Sequence, residues 1–206
     1  MKVILVNGSP HRKGCTYTGL CEVEKVLNEQ GIETEIFQLG VLPLMGCAGC
    51  GQCAKTLRCF EEDAVNEFLE KAEKADGFVF GTAVHFASAT GFITSFMDRV
   101  FCSKGSLFRF KPAAAIVSCR RGGASSTFDM MNKYFTISQM PVVSARYWNM
   151  IHGNTPEEVR EDEEGMLNMR DLGRNMAWML KCIEAGKNAG VALPEDEPMK
   201  RTNFIR

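Results

Sequence analysis

Apolar positions follow two alternating rhythms along the chain. Lys2 to Val6 is a β-branched apolar run, the pattern of a strand buried on both faces, and Leu20, Val23, Val26 and Leu27 then recur at helical spacing. Gly31 ends that helix, and Gly31 to Leu39, with Ile32, Ile36 and Phe37 apolar, predicts a second strand. An aperiodic stretch of about twenty residues follows, a length that in compact domains usually carries function. Val65, Phe68, Leu69 and Ala72 then mark an amphipathic helix within Asp63 to Ala75. Gly77 to Thr82 predicts a third strand and Ala113 to Ser118 a fourth, separated by a helix through Phe92, Ile93, Phe96, Met97 and Val100. Phe128 to Phe135 predicts a helix, Pro141 to Ala145 a fifth strand, and Gly165 to Ala185 a long last helix.

Strands alternating with helices predict an α/β fold: a parallel sheet, right-handed crossovers and helices on both faces. Five strands suit a flavodoxin-like doubly wound sheet of order 2-1-3-4-5, with a cysteine-rich loop (46–60) after strand 2. Residues 1–190 are expected to form this one domain, and 191–206 a charged, proline-containing tail. Ligands in such sheets bind beyond the carboxyl ends of the strands. The loops after strands one, three and four are therefore the candidate site.

Composition narrows the function. Of 206 residues 45% are hydrophobic and 24% charged, ordinary globular usage, and the net charge of −1 gives no bias toward nucleic acid or a membrane surface. The opening apolar run is too short for a signal-peptide core, and no segment approaches the ~20 apolar residues of a membrane span. The expected location is the cytoplasm, where stable disulfides are uncommon and clustered cysteines more often bind metals or carry redox chemistry.

The first loop, "GSPHRKGCTYTG", offers Ser9, Thr16 and Thr18 hydroxyls, the Arg12 and Lys13 cations, and glycines just before a helix. Unpaired N–H groups and the helix dipole favour a phosphate there. The spacing fits neither a Walker A motif nor the dinucleotide fingerprint, so a single terminal phosphate such as that of FMN suits it better. The alternative is an ordinary strand-to-helix turn.

Cys47, Cys50, Cys53 and Cys59 follow Cys-x2-Cys-x2-Cys-x5-Cys. Three thiolates so spaced wrap three irons of a cuboidal cluster, and a fourth reaches the remaining corner. Zinc sites usually take two cysteine pairs from separate segments, so four ligands within thirteen residues favour iron-sulfur, with zinc and free thiols as alternatives. Gly46, Gly49 and Gly51 let the loop turn tightly, and Lys55 and Arg58 either stabilise an anionic cluster or stay solvated. Cys21, Cys102 and Cys182 fall in helical patterns and are expected to be buried.

Three segments carry a family resemblance: "NGSPHRKGCTY", "GTAVHFASATGFITSFMDR" and "SCRRGG". Together they resemble the three FMN-contact loops of the NADPH-dependent FMN reductase family, and with the cysteine run its iron-sulfur flavoprotein branch. The resemblance implies that Ser9, Arg12, Gly14, Cys15 and Thr16 bind the FMN phosphate, with Pro10 shaping the turn. It implies that Thr82, Ala83, Val84, His85 and Phe86 line the isoalloxazine, and that Cys119, Arg120, Arg121, Gly122 and Gly123 close around its pyrimidine end. Relatives often have Asn or Ser at Cys15, Pro at Ala83 and Tyr at His85 or Phe86. It also implies that the cysteine run holds a [4Fe-4S] cluster and that the protein is a homodimer or homotetramer.

The expected activity is oxidoreduction through FMN, from NAD(P)H to a small-molecule or ferredoxin-like protein acceptor, without a side chain as acid or base. A ferredoxin-linked electron carrier, and a cysteine-based metal or redox sensor, are the rival readings. The acidic run Pro156 to Gly165 is expected to be a solvated face, the methionines of the second half core filler or interface, and Tyr147 and Trp148 flavin, interface or core residues.

Overall fold

The computed structural model describes residues 1–41, 43–198 and 200–203. The strands are β1 (Lys2–Asn7), β2 (Glu33–Gln38), β3 (Gly77–His85), β4 (Ser88–Ala89), β5 (Ala113–Cys119) and β6 (Met150–His152). The parallel sheet runs β2-β1-β3-β5-β6, and β4 folds back antiparallel on the end of β3. With that hairpin set aside, this is the expected flavodoxin-like order.

Alternation within each strand divides the core. Val3 and Leu5 of β1 face a cluster built with α1 (Cys15–Glu29), α6 (Pro156–Glu161) and α7 (Glu163–Asn188), whereas Ile4 and Val6 face α3 (Ala64–Ala72), α4 (Gly91–Lys104) and α5 (Ala124–Ile137); the single turn α2 (Cys53–Thr56) lies in the cysteine loop. The second cluster is rich in phenylalanine: the Phe68 ring lies 5.1 to 6.3 Å from those of Phe37, Phe78, Phe80, Phe96 and Phe108. Each such ring contributes about 1.5–3 kcal/mol by leaving water. Met131, Met140, Met150, Met166, Met169 and Met176 are buried, as core filler should be.

Two expectations are corrected. Pro141 to Ala145 is not the fifth strand: only Val142 bridges to Ala113, the chain then leaves the sheet, and Met150–His152 completes the edge. Buried Asn149 spans the interruption, donating from Nδ2 to the Ala115 carbonyl (3.1 Å) and accepting the Ala145 N–H at Oδ1 (3.1 Å). The excursion carries Tyr147 and Trp148 outward, each about half exposed, which removes the core reading for that pair. Secondly, none of Cys21, Cys102 and Cys182 is buried; Cys102 and Cys182 are exposed and Cys21 is intermediate. Their helices bury neighbouring positions instead.

Capping side chains start four of the helices. Asp63, Thr90, Thr155 and Asp162 accept backbone N–H bonds at the N-termini of α3, α4, α6 and α7. Asp162 sits in the acidic run and serves as a cap there. The α1 and α5 helices begin at Gly14 and Gly123 with no side-chain cap. No helix among the described residues is long and apolar enough to cross a membrane.

Candidate functional site

The loop after β1 is braced from beneath. Asn7, fully buried, donates from Nδ2 to Gln38 Oε1 (2.6 Å) and the His11 carbonyl (3.4 Å), and its Oδ1 accepts the Ser9 N–H (3.1 Å). Gln38 donates in turn to the Ser9 carbonyl. Ser9 is itself buried, its Oγ accepting the His11 N–H at 3.2 Å. These bonds fix the loop while leaving the first-turn N–H groups of α1 without a side-chain partner. Thr16 Oγ1, in that turn, is buried and has no hydrogen-bond partner. A buried hydroxyl without a partner costs roughly 1–3 kcal/mol, so its presence beside an uncapped helix end points to an absent acceptor. Thr18 is different: its hydroxyl is satisfied by the Gly14 carbonyl at 3.2 Å.

Exposed Arg12 and Lys13 flank this helix end, and with His11, Gly14 and Cys15 they face Asn154, Thr155 and Pro156 across a cleft of about 430 Å³. Burial pushes the Cys15 thiol up, so it stands as a neutral group, 3.7 Å from the Gly153 carbonyl.

The other two loops converge on the same edge. The Gly8 N–H donates to the Gly81 carbonyl (2.9 Å), and Thr90 Oγ1 to the Gly8 carbonyl (3.3 Å). Thr82 is fully buried, its hydroxyl donating to the Ala83 carbonyl. Ala83 and Val84 are half-buried, whereas His85 and Phe86 are exposed. Phe86 and Ala87 form the tip of the β3–β4 hairpin at φ 51° and 59°, and the Phe86 ring is fully exposed. Left-handed backbone at two successive non-glycine residues is the mirror-image turn that suits a tight hairpin, and it carries strain.

That hairpin leans on Gly123, the N-cap of α5. A Cβ there would lie 2.5 Å from Ala87 Cα, and its φ is +91°. Arg120, Arg121 and Gly122 are exposed at this edge, and neither arginine forms an ion pair among the described residues. Cys119 is buried, its carbonyl accepting the Gly153 N–H and its thiol pushed up by burial.

The cysteine loop forms a second centre. Cys47, Cys50, Cys53 and Cys59 line one small cavity with Arg99 and Cys102 of α4. Gly49 and Gly51 take φ of +63° and +70°, which the tight turns between the cysteines require. Among the described residues no three Cys, His, Asp or Glu side chains lie close enough to share one metal ion. Arg58 is spent on Glu62 (3.0 Å) and Glu70 (2.7 Å) at the surface. The cation at the cavity is Arg99, which bonds Cys59 Sγ and Asp63.

Sequence reasoning missed Arg99, Asp63, Asn66, Cys102, Asn7 and Gln38. Arg99 and Asn66 gave a usable signal: each is a polar residue on the apolar face of a helix, among Phe96, Met97 and Val100 or Val65, Phe68 and Leu69. Asn7 and Gln38 were hidden as polar strand ends, paired only when β1 and β2 align.

The model of the NADPH-dependent FMN reductase family matches residues 1–155. The chain belongs to that family. An iron-sulfur flavoprotein of Methanocaldococcus jannaschii is 33% identical over 192 residues, which is 89% of this chain and all of the relative. Among solved structures, RosB with a bound 8-demethyl-8-formylriboflavin-5′-phosphate intermediate superposes with a TM-score of 0.69 at 16% identity, covering 99% of this chain and 92% of that one. An archaeal flavodoxin gives 0.58 at 15% identity over 88% of this chain and 99% of its own. At such identities the shared property is the fold. Within the family's flavodoxin-like frame, the loops after β1, β3 and β5 stand at the edge where ligands of such sheets bind.

Proposed function

We propose that this member of the FMN reductase family is an FMN-dependent oxidoreductase with a [4Fe-4S] cluster on Cys47, Cys50, Cys53 and Cys59. The observation that carries the cluster is that all four cysteines of the spaced motif line one cavity. A cuboidal cluster takes one thiolate per iron, a number that the four cysteines match. The names of relatives agree.

The phosphate loop fits FMN through the orphaned Thr16 hydroxyl and the uncapped α1 terminus. There Ser9, Arg12, Gly14, Cys15 and Thr16 hold the phosphate, Cys15 through its backbone since its thiol is neutral and turned to Gly153. Ala83 to Phe86 line the ring, and Thr82, with no exposed surface, supports them from beneath through its hydroxyl bond to the Ala83 carbonyl rather than touching the ring as the resemblance implied. Cys119 to Gly123, with the uncapped end of α5, present cations and N–H donors to the pyrimidine edge, where negative charge grows on reduction.

Bound FMN supplies the exchange between two-electron and one-electron chemistry. The chain's residues bind and orient it, and none is needed to move a proton. NAD(P)H is the proposed donor, and a small molecule or a ferredoxin-like protein the acceptor. The exposed Tyr147 and Trp148 support a homodimer or homotetramer, since such aromatics are enriched at interfaces.

Anaerobic purification with flavin, iron and sulfide quantitation tests the reading. About one FMN and about four irons per chain are expected. Flavin without iron overturns the cluster, and absence of flavin overturns the whole. Steady-state NAD(P)H oxidation then separates the enzyme from the rival ferredoxin-linked carrier, which would be reduced by ferredoxin but turn over negligibly with NAD(P)H.

A further inference from the structure

Arg99 is the largest side chain fully buried among the described residues, and it forms part of the cavity wall. Its donors are all engaged. Nη1 and Nη2 grip both Asp63 oxygens (2.6 and 3.0 Å), Nη1 also reaches the Met45 carbonyl (3.4 Å), and Nη2 the Glu61 carbonyl (3.3 Å). Both Nε and Nη2 point at Cys59 Sγ at 3.2 Å. One guanidinium thus ties the chain before the first cysteine to the chain around the last.

We propose that Arg99 is a positioning residue that fixes Cys59 and raises the reduction potential of the cluster. The proposal rests on the cluster reading above. A neutral thiol is a weak acceptor, so two N–H groups of a buried cation spent on one sulfur match a thiolate that stays anionic because iron holds it. Adding an electron makes the cluster more negative. A neighbouring positive charge and N–H···S bonds stabilise that state more than the oxidised one, and hydrogen bonds to the sulfurs are among the known determinants of cluster potential. Asp63 partly cancels the charge, so removing its charge should act oppositely to weakening Arg99.

The test uses full-length protein reconstituted anaerobically with iron and sulfide, as wild type, Arg99→Lys and Asp63→Asn. Asparagine still caps α3. After iron counting, each sample is titrated with dithionite and followed by electron paramagnetic resonance for the cluster and by absorbance for FMN. Arg99→Lys, which keeps charge but loses the fork, should shift the cluster potential negative. Asp63→Asn should shift it positive, with the FMN potential unmoved in both. Should Arg99→Lys fail to fold, Asp63→Asn carries the test alone. Iron-loaded wild type with variant potentials equal to its own overturns the inference and leaves the cluster standing. Wild type without iron overturns both.

Discussion

Asn66 brackets Cys59 from both sides: its Oδ1 accepts the Cys59 N–H at 3.0 Å, and its Nδ2 donates to the Cys59 carbonyl at 3.0 Å and the Glu61 carbonyl at 3.1 Å. Asn66 is buried in α3, so this clamp is held by the core. Of the four motif cysteines, Cys59 is therefore set in place by its surroundings. Asn66→Ala removes all three bonds and should cost about 2–3 kcal/mol. In urea the midpoint should fall by roughly 1 M with an unchanged slope, and iron retained after gel filtration should drop. An unchanged midpoint would show that the clamp is dispensable.

Thr16 separates a ligand site from an ordinary turn. Thr16→Val replaces a buried hydroxyl that bonds nothing in the protein, so stability without flavin should hold or rise slightly. The same change should weaken FMN by roughly tenfold to a hundredfold, the worth of one hydrogen bond to a charged group. Flavin fluorescence quenching on titration into the flavin-free protein measures this. Equal dissociation constants would remove Thr16 from the phosphate site.

Gly123→Ala should damage the hairpin and α5 together. The new Cβ meets Ala87 Cα at 2.5 Å and the backbone must stay at φ +91°, so a loss of about 1–3 kcal/mol follows. Thermal unfolding should begin earlier by several degrees. If the hairpin lines the flavin as proposed, flavin affinity should fall with it, because the tip residues are pushed from their place.

Glu35 of β2 gives the acid limb a defined shape. Hydrogen bonds from Lys71 (2.8 Å) and Lys2 (2.9 Å) hold its carboxyl below its ordinary value near 4.5, against the opposing pull of burial. A depressed folded value means that the stabilisation is full above the ordinary value and is lost as pH falls through the depressed one. Glu35→Gln should lower stability at neutral pH and converge with wild type in stronger acid. Added salt should narrow the neutral gap. Parallel curves for the two proteins down to acid unfolding would contradict this.

The parallel sheet and its order were legible because strands β1, β3 and β5 are nearly unbroken apolar runs between helical patterns. The edge strand was not. Pro141 to Ala145 has the composition of a strand, but its place in the sheet is held by one bridge and by the Asn149 side chain, which no periodicity reveals. The loop proposed to hold the phosphate drew notice through its glycines, hydroxyls and cations, yet the buttress beneath it depends on Asn7 meeting Gln38 across thirty-one positions. The cysteine spacing read directly. Arg99 stood out as a polar residue on an apolar helix face, but its meeting with Cys59, like the place of Cys102 at the cavity, could not be read because α4 reaches the cavity only after α3 and the sheet have set its distance.

The interruption between Val142 and Met150 also bears on how the molecule behaves in a crowded solution. An intact outer strand would expose a continuous row of unpaired N–H and C=O groups, a template onto which a neighbouring chain could add. Here the row is offered only as one bridge and a three-residue stub, parted by a bend. The opposite margin, β2, carries Glu33 and Glu35 instead. Straightening 144–149 into regular strand, for instance by shortening that excursion, should extend the sheet's hydrogen-bonding rim and turn a self-limiting fold into one prone to fibrous self-association.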